Sequence, residues 1–599
     1  MKEDITMIWN RLTGRSYSAV STNPTSADVA DSENFSSTRN PKSLRRKSSV
    51  VVNQFFSAAL PVHSDGRPRW SRSIFVLMSL GLVGLVTGCF VLLCQPYDFL
   101  FKLKVVLADG GEIFELWRKP PVDLYLKVYL FNVTNHEEYI SGKDSKLKFQ
   151  EVGPYVYKEN MEHGSVKFND NGTVTAVPLH PLTYQSEMSN GTEEDLLILP
   201  NIALLSIANV MRDASYFTRF GLNVIIRQTD SRPLVQMTAK EFMFGYKSTL
   251  VTLGNHLMPS WIKFDKLGLI DRMYDFEGDY ETVYTGQDDV RMTGLIEKYN
   301  GDYNLPQWTG SCANVKGASD GAKFRGYLEP NDTLIFFRKS LCRSARMIRT
   351  GEETIKGMQT YLFKFMDNEL DNGLINPENK CFCRLGRCLP AGFIDVTDCY
   401  YGFPIALSYP HFYKADPQVL NAVEGLKPLA ENHESYFFIQ PKSGLPVQLA
   451  FRFQINMALQ DIESIARVER FKDFVLPLLW FEIGMHELPE SMNNRFLLYL
   501  NVLPIVQEVI MYVLFLFGAT FLVWSVAKIL LHQPKGSTSP GQWFEAEMQR
   551  KRLSFLNERR ASVKTKELDT YYNSLLSPTE EEQRSMPLEE LPYLKEEVV

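Results

Sequence analysis

IFVLMSLGLVGLVTGCFVLLC, Ile74–Cys94, and VIMYVLFLFGATFLVWSVA, Val509–Ala527, are uncharged apolar segments near opposite ends of a 599-residue chain. Each is long enough to cross a hydrocarbon core of about 30 Å as a helix. Glu508 stands just before the second segment and Lys528 just after it. A cleaved signal peptide is the weaker reading of the first, because residues 1–73 precede it and Cys-Gln-Pro, not a small-residue cleavage site, closes it. Two spans put the whole of residues 95–508 on one side of a membrane.

Basic residues near the span ends set the expected orientation. Arg67, Arg69 and Arg72 precede the first span, with Arg45, Arg46 and Lys47 behind them. Lys528, Lys535, Arg550, Lys551 and Arg552 follow the second, whereas Lys102, Lys104 and Arg495 are the nearest on the inner flanks. This predicts five segments: a cytosolic tail (1–73), a span (74–94), an extracellular or luminal domain (95–508), a span (509–530) and a cytosolic tail (531–599). The net charge of −6 averages unlike regions and says little about partners.

Sugar and sulfur signals fit an exported loop. Sequons begin at Asn132, Asn171, Asn190 and Asn331, which predicts glycosylated surface positions. Asn34-Phe-Ser lies in the cytosolic tail, out of reach of the transferase. Cys312, Cys342, Cys381, Cys383, Cys388 and Cys399 cluster in the loop, and an even number in an oxidising compartment predicts three disulfides of open pairing. Zinc is the rival for Cys381-Phe-Cys-Arg-Leu-Gly-Arg-Cys388, but no histidine stands at ligand spacing. Cys89 and Cys94 fall within the first span.

The tails read as flexible handles. Residues 1–65 are rich in Ser, Asn, Thr and Arg without apolar periodicity, which predicts disorder. Arg45-Arg-Lys-Ser-Ser suits anionic lipid, and equally a solvated basic run. Trp543–Leu556 is basic and amphipathic, the pattern of a membrane-surface helix. Tyr572-Asn-Ser-Leu575 fits a tyrosine-based endocytic sorting signal, ahead of an acidic end.

Between the spans, apolar–polar alternation dominates. Val122–Val133, Gly164–Val177 and Leu334–Phe337 read as strands, and Ser435–Leu459 as two strands about a Pro-Lys-Ser-Gly turn. Strands without alternating helices predict an antiparallel sheet or barrel. Helical periodicity covers Asn201–Arg227, with Gly221 as the expected break, and a second helix-prone block covers Asp461–Phe474. No nucleophile elbow, phosphate-binding glycine loop or His-Glu-x-x-His helix is present, so the chain reads as a non-enzyme needing no cofactor. His411 and His433 sit in unusual local sequences but lack a nucleophile partner, and read as hydrogen-bonded structural residues. No basic domain or motif suggests nucleic acid.

A collinear series of blocks resembles the class B scavenger receptors. It runs through Trp117-Arg-Lys-Pro-Pro-Val, Tyr129-Leu-Phe-Asn-Val-Thr-Asn135, Val152-Gly-Pro-Tyr-Val-Tyr157 and Phe244-Gly-Tyr246. It continues with Trp308-Thr-Gly-Ser-Cys312, Gly317, Asp320-Gly321, Leu341-Cys-Arg-Ser344, Ile405–Asp416 and Glu431-Asn-His-Glu434. The series covers about residues 74–530. The resemblance implies an α+β ectodomain with an antiparallel β-barrel-like core, a helical-bundle crown containing Asn201–Arg227, and an apolar tunnel leading to the bilayer. It also implies the pairs Cys312–Cys381, Cys342–Cys399 and Cys383–Cys388. Gly153-Pro154 is expected to be a strand-to-turn junction.

The implied function is to bind lipids (fatty acids, sterols or carotenoids) or lipoprotein-like particles and to pass lipid through the tunnel. A protein-walled path offsets roughly 0.8 kcal/mol for each CH₂ otherwise left in water. Arg212, Arg219, Arg227, Arg232 and Lys240 are candidate crown contacts for anionic ligands, against an ordinary solvated surface. Gln228 and Asp230 stand where some members carry lysines, so their fatty-acid-binding lysine does not transfer. The tails lack cysteine, which argues against tail palmitoylation. The alternative is an endosomal or lysosomal sorting receptor whose crown binds a luminal protein, with Tyr572 and Leu575 directing residence; the plasma membrane is the location under the first reading. Gly84-x-x-x-Gly88 could seat the first span on the second or on another copy, making a homo-oligomer.

Overall fold

A computed structural model describes residues 72–252, 266–373, 375–531, 545 and 547–559. Arg45–Ser49, Tyr572, Leu575 and the acidic end lie outside the described residues. The chain divides into two compact units, one of residues 82–519 and one of the residues outside that range.

Both apolar segments are helices, and each is longer than its apolar core. The first runs Arg72–Cys94, breaks where Gln95 adopts a left-handed conformation, and resumes as Pro96–Val105. The second is reached through Glu490–Leu497 and a π-helical turn, Leu498–Val502, and runs Leu503–Leu531. The glycines of the first helix have a specific use within the unit of residues 82–519. A Cβ on Gly84 would stand 3.2 Å from Gly518 Cα and 3.3 Å from Leu514 O, and one on Gly88 would stand 3.3 Å from the Phe515 ring. The small-residue face therefore seats the second helix of the same chain. In the other unit, Ser525 Oγ donates to Ile74 O at 3.4 Å. Residues 547–559 are helical and exposed.

The principal sheet runs in the order Leu334–Arg338, Arg343–Ile355, Met358–Phe365, Tyr436–Ile439, Pro446–Ala458, Val475–Met485, Leu124–Val133, Leu147–Glu159 and Val423–Glu424. Pairing is antiparallel until the last strand, which joins in parallel. The barrel expectation needs correction: the sheet is open, because its outermost strands pair with no common neighbour among the described residues. A bridge from Ser319 to Phe336 covers one edge, and the two-residue strand Val423–Glu424 ends the other, so neither edge is long and bare. Four strands (Glu162–Phe168, Thr173–Leu179, Glu281–Tyr284, Ile296–Tyr299) form a second sheet, and Leu196–Pro200 pairs with Leu234–Thr238.

Strand alternation sorts the residues of the principal sheet by face. Phe437, Leu449, Phe451, Ile483, Met485 and Leu126 fall on one face, through the registers Phe437↔Leu449, Leu449↔Met485, Phe451↔Ile483 and Leu126↔Ile483. On the other face Arg452, Glu482 and Lys127 are in register, and Glu482 binds Arg452 at 2.7 Å and Lys127 at 2.9 Å.

Three local expectations differ from the structure. The break in Asn201–Arg227 falls between Ile202–Met211 and Tyr216–Gln228, not at Gly221. Ser215 decides it by capping the second helix, its side chain accepting from Thr218 N, while Gly221 sits inside that helix. Asp461–Phe474 is irregular apart from Glu469–Phe471. Its buried residues Ile462, Ile465, Val468 and Phe471 recur every third position, and Gln460 N and Ala466 N donate to the side chains of Asn209 and Asn223. Tertiary hydrogen bonds thus replace the helical ones. Gly153-Pro154 lies inside the strand Leu147–Glu159, beside a register shift at Val128/Leu130, and its peptide bond is cis. Gly153 has φ +128°, and a Cβ there would stand 2.7 Å from Val128 O, so only glycine fits.

Candidate apolar cavities and their charged wall

Two apolar cavities within the unit of residues 82–519 share Ile113, Leu116, Lys323, Leu445 and Met492. The first, about 890 Å³ of empty space counting its open side, is walled by Phe437, Leu449, Phe451, Ile483 and Met485 from one face of the principal sheet. Trp117, Pro120, Val122 and Leu124 also line it. Four residues of the Trp117-Arg-Lys-Pro-Pro-Val block, Trp117, Pro120, Pro121 and Val122, are therefore cavity lining, and the prolines carry no N–H that would need a partner in an apolar wall. The second cavity, about 990 Å³ counted in the same way, is bounded by Phe101 and Val105 and by Phe496, Tyr499 and Leu500. These belong to the helical segments that lead directly out of the first span and into the second. Lys104, Glu112 and Arg495 stand at the second cavity, with Glu112 3.9 Å from Lys104 and 3.4 Å from Arg495.

Helix Pro96–Val105 is held by polar contacts. Asp98 pairs with Lys102 at 2.9 Å and with Lys442 of the Pro441–Gly444 turn at 3.0 Å, and Tyr327 donates to it at 3.3 Å. Tyr97 N donates to Gln507 Oε1 at 2.8 Å, and Tyr97 OH to Tyr499 O, joining the two juxtamembrane segments.

Charged residues buttress the first cavity from behind. His163 stacks on the Trp117 indole, centroids 4.0 Å apart, and its Nδ1 lies 2.8 Å from Trp117 O. Its Nε2 faces Glu281 at 3.0 Å and Asp320 at 3.3 Å. Burial opposes the imidazolium, but the bonds to Asp320 and Glu281 outweigh it and hold His163 up to about 10. The three could hold a metal ion by proximity; with a protonated ring, Nε2 donates and the group closes as an ion pair. Beside it, buried Glu159 accepts from Tyr274 OH at 2.6 Å, His180 Nδ1 at 2.7 Å and Arg338 at 3.1 Å. Burial opposes its charge, and chiefly Arg338 overcomes that, bringing Glu159 down to about 2. Trp117, Asp320 and Arg338 all line the first cavity, so these clusters fix its wall.

The residues singled out by sequence are scattered. The cysteines form Cys312–Cys381, Cys342–Cys399 and Cys383–Cys388, the pairing the resemblance implies, so the zinc alternative falls. Asn171, Asn190 and Asn331 are exposed, whereas Asn132 is half-buried in a strand and its side-chain oxygen accepts from Ile198 N at 2.9 Å. Four of the five candidate cations are engaged: Arg212 with Asp213 at 3.0 Å, Arg219 with Ser464 at 3.0 Å, Arg232 with Asp230 at 3.2 Å and Lys240 with Glu193 at 2.8 Å. Arg227 is exposed. The more distinctive surface here is apolar: Tyr216, Phe217 and Phe220 are 69%, 83% and 58% exposed on helix Tyr216–Gln228. His411 and His433 stack at 4.4 Å, and His411 Nδ1 accepts from Lys427 N, leaving Nε2 to donate to Glu151 at 2.6 Å. Burial is the main force holding His433 down to about 4, with His411 adding to it.

The sequence reading missed His163, Glu281, Lys323, Glu159 and Arg338. Asp320-Gly321 stood in the quoted series, but nothing local marked its partners, which come from other strands.

A model of the CD36 family matches residues 75–529. The chain belongs to the CD36 family. It is 32% identical to scavenger receptor class B member 1 of Cricetulus griseus over 78% of this chain and 91% of that protein. Lysosome membrane protein 2 of Homo sapiens is 29% identical, over 75% of this chain and 94% of its own length. Protein peste of Drosophila melanogaster is 28% identical, over 63% and 69%. As a CD36-family member with two apolar helices flanking a sheet-rich ectodomain, the chain is a class B scavenger-receptor-like membrane protein.

Proposed function

We propose that the chain takes up lipid into its two apolar cavities and releases it to the bilayer beside the spans. The observation that carries this reading is the second cavity: its walls are the helical segments continuous with both spans, and it shares lining residues with the first. A lipid moving from sheet to helices would meet membrane before water. Transfer runs down a chemical gradient and needs no cofactor. In this reading residues 95–508 face the exterior or a lumen, both tails are cytosolic, and Asn171, Asn190 and Asn331 carry glycans.

The test uses the full chain in liposomes, with fluorescent cholesteryl ester or fatty acid supplied on donor particles. Leu445 lines both cavities, so Leu445→Trp should slow delivery several-fold while leaving particle binding unchanged. Equal delivery by the two forms, or none above protein-free liposomes, would sink the proposal.

A second reading has its own support. Tyr216, Phe217 and Phe220 present an exposed apolar helix face, the kind of surface on which a luminal protein ligand docks. Phe217→Asp should then abolish capture of such a partner without changing lipid delivery.

A further inference from the structure

Lys323 is 2% exposed and is among the residues shared by both cavities. Buried lysines are rare unless a carboxylate pairs with them. Here none does among the described residues: Asp320, three positions earlier, is engaged by His163, and Arg338 is committed to Glu159. The stem of Lys323 lies along Gly294, where a Cβ would stand 3.3 Å from Cδ. Its Nζ donates to Thr293 O at 2.9 Å and Phe324 O at 3.1 Å. An ammonium has three donors, so two carbonyls leave one N–H and the whole positive charge without a counterpart among the described residues.

An uncompensated charge in an apolar wall is costly and has no evident structural gain. The remaining lining at the junction of the cavities is aliphatic: Ile113, Leu116, Leu445 and Met492. A ligand that answers both features has an unbranched apolar body and one small anionic head. A monocarboxylate needs one counter-charge and at least one donor, and Lys323 has one N–H and its charge left. A zwitterionic phospholipid head would bring a second charge for which the described residues shared by the two cavities supply no partner.

We propose that Lys323 anchors the carboxylate of a single-chain fatty acid at the junction of the two cavities, and so makes the chain discriminate acids from neutral lipids of equal length. This rests on the lipid reading above. Burial drives the Lys323 ammonium down to about 7, so an arriving carboxylate meets a group that readily takes up the proton it needs.

The test measures binding of oleic acid and of methyl oleate to the full chain in detergent. The unaltered chain should bind the acid about tenfold more tightly or better, the scale of one charge-assisted hydrogen bond. Lys323→Met should lose that preference, weakening the acid about tenfold and leaving the ester within about twofold. Ester binding also reports that the variant is folded, and the acid–ester comparison on the unaltered chain needs no variant. Equal binding of acid and ester by the unaltered chain, or a preference that survives Lys323→Met, overturns the anchor and leaves lipid transfer standing. Binding of neither lipid overturns both.

Discussion

Replacing His163 with Gln removes the positive member of a buried trio and leaves Glu281 and Asp320 facing each other without it. Breaking a buried pair by deleting one partner costs roughly 3–5 kcal/mol. The stacked contact with Trp117 adds roughly 0.5–1.5 kcal/mol. For a domain of this size, the sum corresponds to a fall in melting temperature of about 4–7 °C. The pH dependence is diagnostic. The folded pKa of His163 is raised to about 10, so its contribution is whole below its ordinary value near 6.5 and is lost as pH rises through about 10. In the variant, burial has already raised Glu281, and without the imidazolium that carboxyl takes up a proton as the medium becomes acidic. The gap between the two forms should therefore be widest near neutrality and narrow towards both pH 5 and pH 9.5. Heat unfolding of the detergent-solubilised full chain, followed by near-ultraviolet circular dichroism across that range, reads it. A gap below about 1 °C, or one that does not vary with pH, would refute the ion-pair assignment.

Glu159 is depressed to about 2, so its stabilisation is present above its ordinary value of 4.5 and lost as pH falls towards 2; Glu159→Gln should destabilise by roughly 3–5 kcal/mol at pH 6 and flatten the acid-unfolding curve below pH 4.5. Two glycine substitutions should act in opposite directions. Gly84→Leu should lower the melting temperature by several degrees, because its Cβ already meets Gly518 Cα and Leu514 O, whereas Gly221→Ala, with nothing within 4 Å of its Cβ, should stabilise by about 0.5–1 kcal/mol. Burial lowers Lys323 from its ordinary 10.5 to about 7, so its destabilisation is full below about pH 7 and fades as pH rises towards 10.5; the melting temperature of Lys323→Met relative to the unaltered chain, measured without lipid, should therefore be most favourable below pH 7 and fall as pH rises, and a difference that does not vary with pH would contradict the burial argument.

Local pattern is strongest where one face of an element meets a uniform environment. The spans were legible because lipid demands a long uncharged run, and Leu124–Val133, Leu334–Arg338 and the pair around Pro441–Gly444 because a half-buried strand alternates. Asp461–Phe474 misled because burial of every third residue resembles helical spacing, while Asn209 and Asn223 claim the backbone from a distance. Ser215 outcompeted Gly221 because a capped start defines a helix end more firmly than an interior glycine breaks one.

What the amino-acid sequence determined by itself was the two-helix frame, the strand-rich domain it encloses and the family, because each is written in runs and ordered blocks read along the chain. Tertiary structure alone decided the sheet's openness, the cavities and their charged wall. His163, Glu281 and Asp320 meet only because distant segments pack together, and Lys323 is notable only for the partner that packing withholds. Burial and charge pairing are properties of neighbours in space, and for these residues the neighbours are not neighbours in sequence.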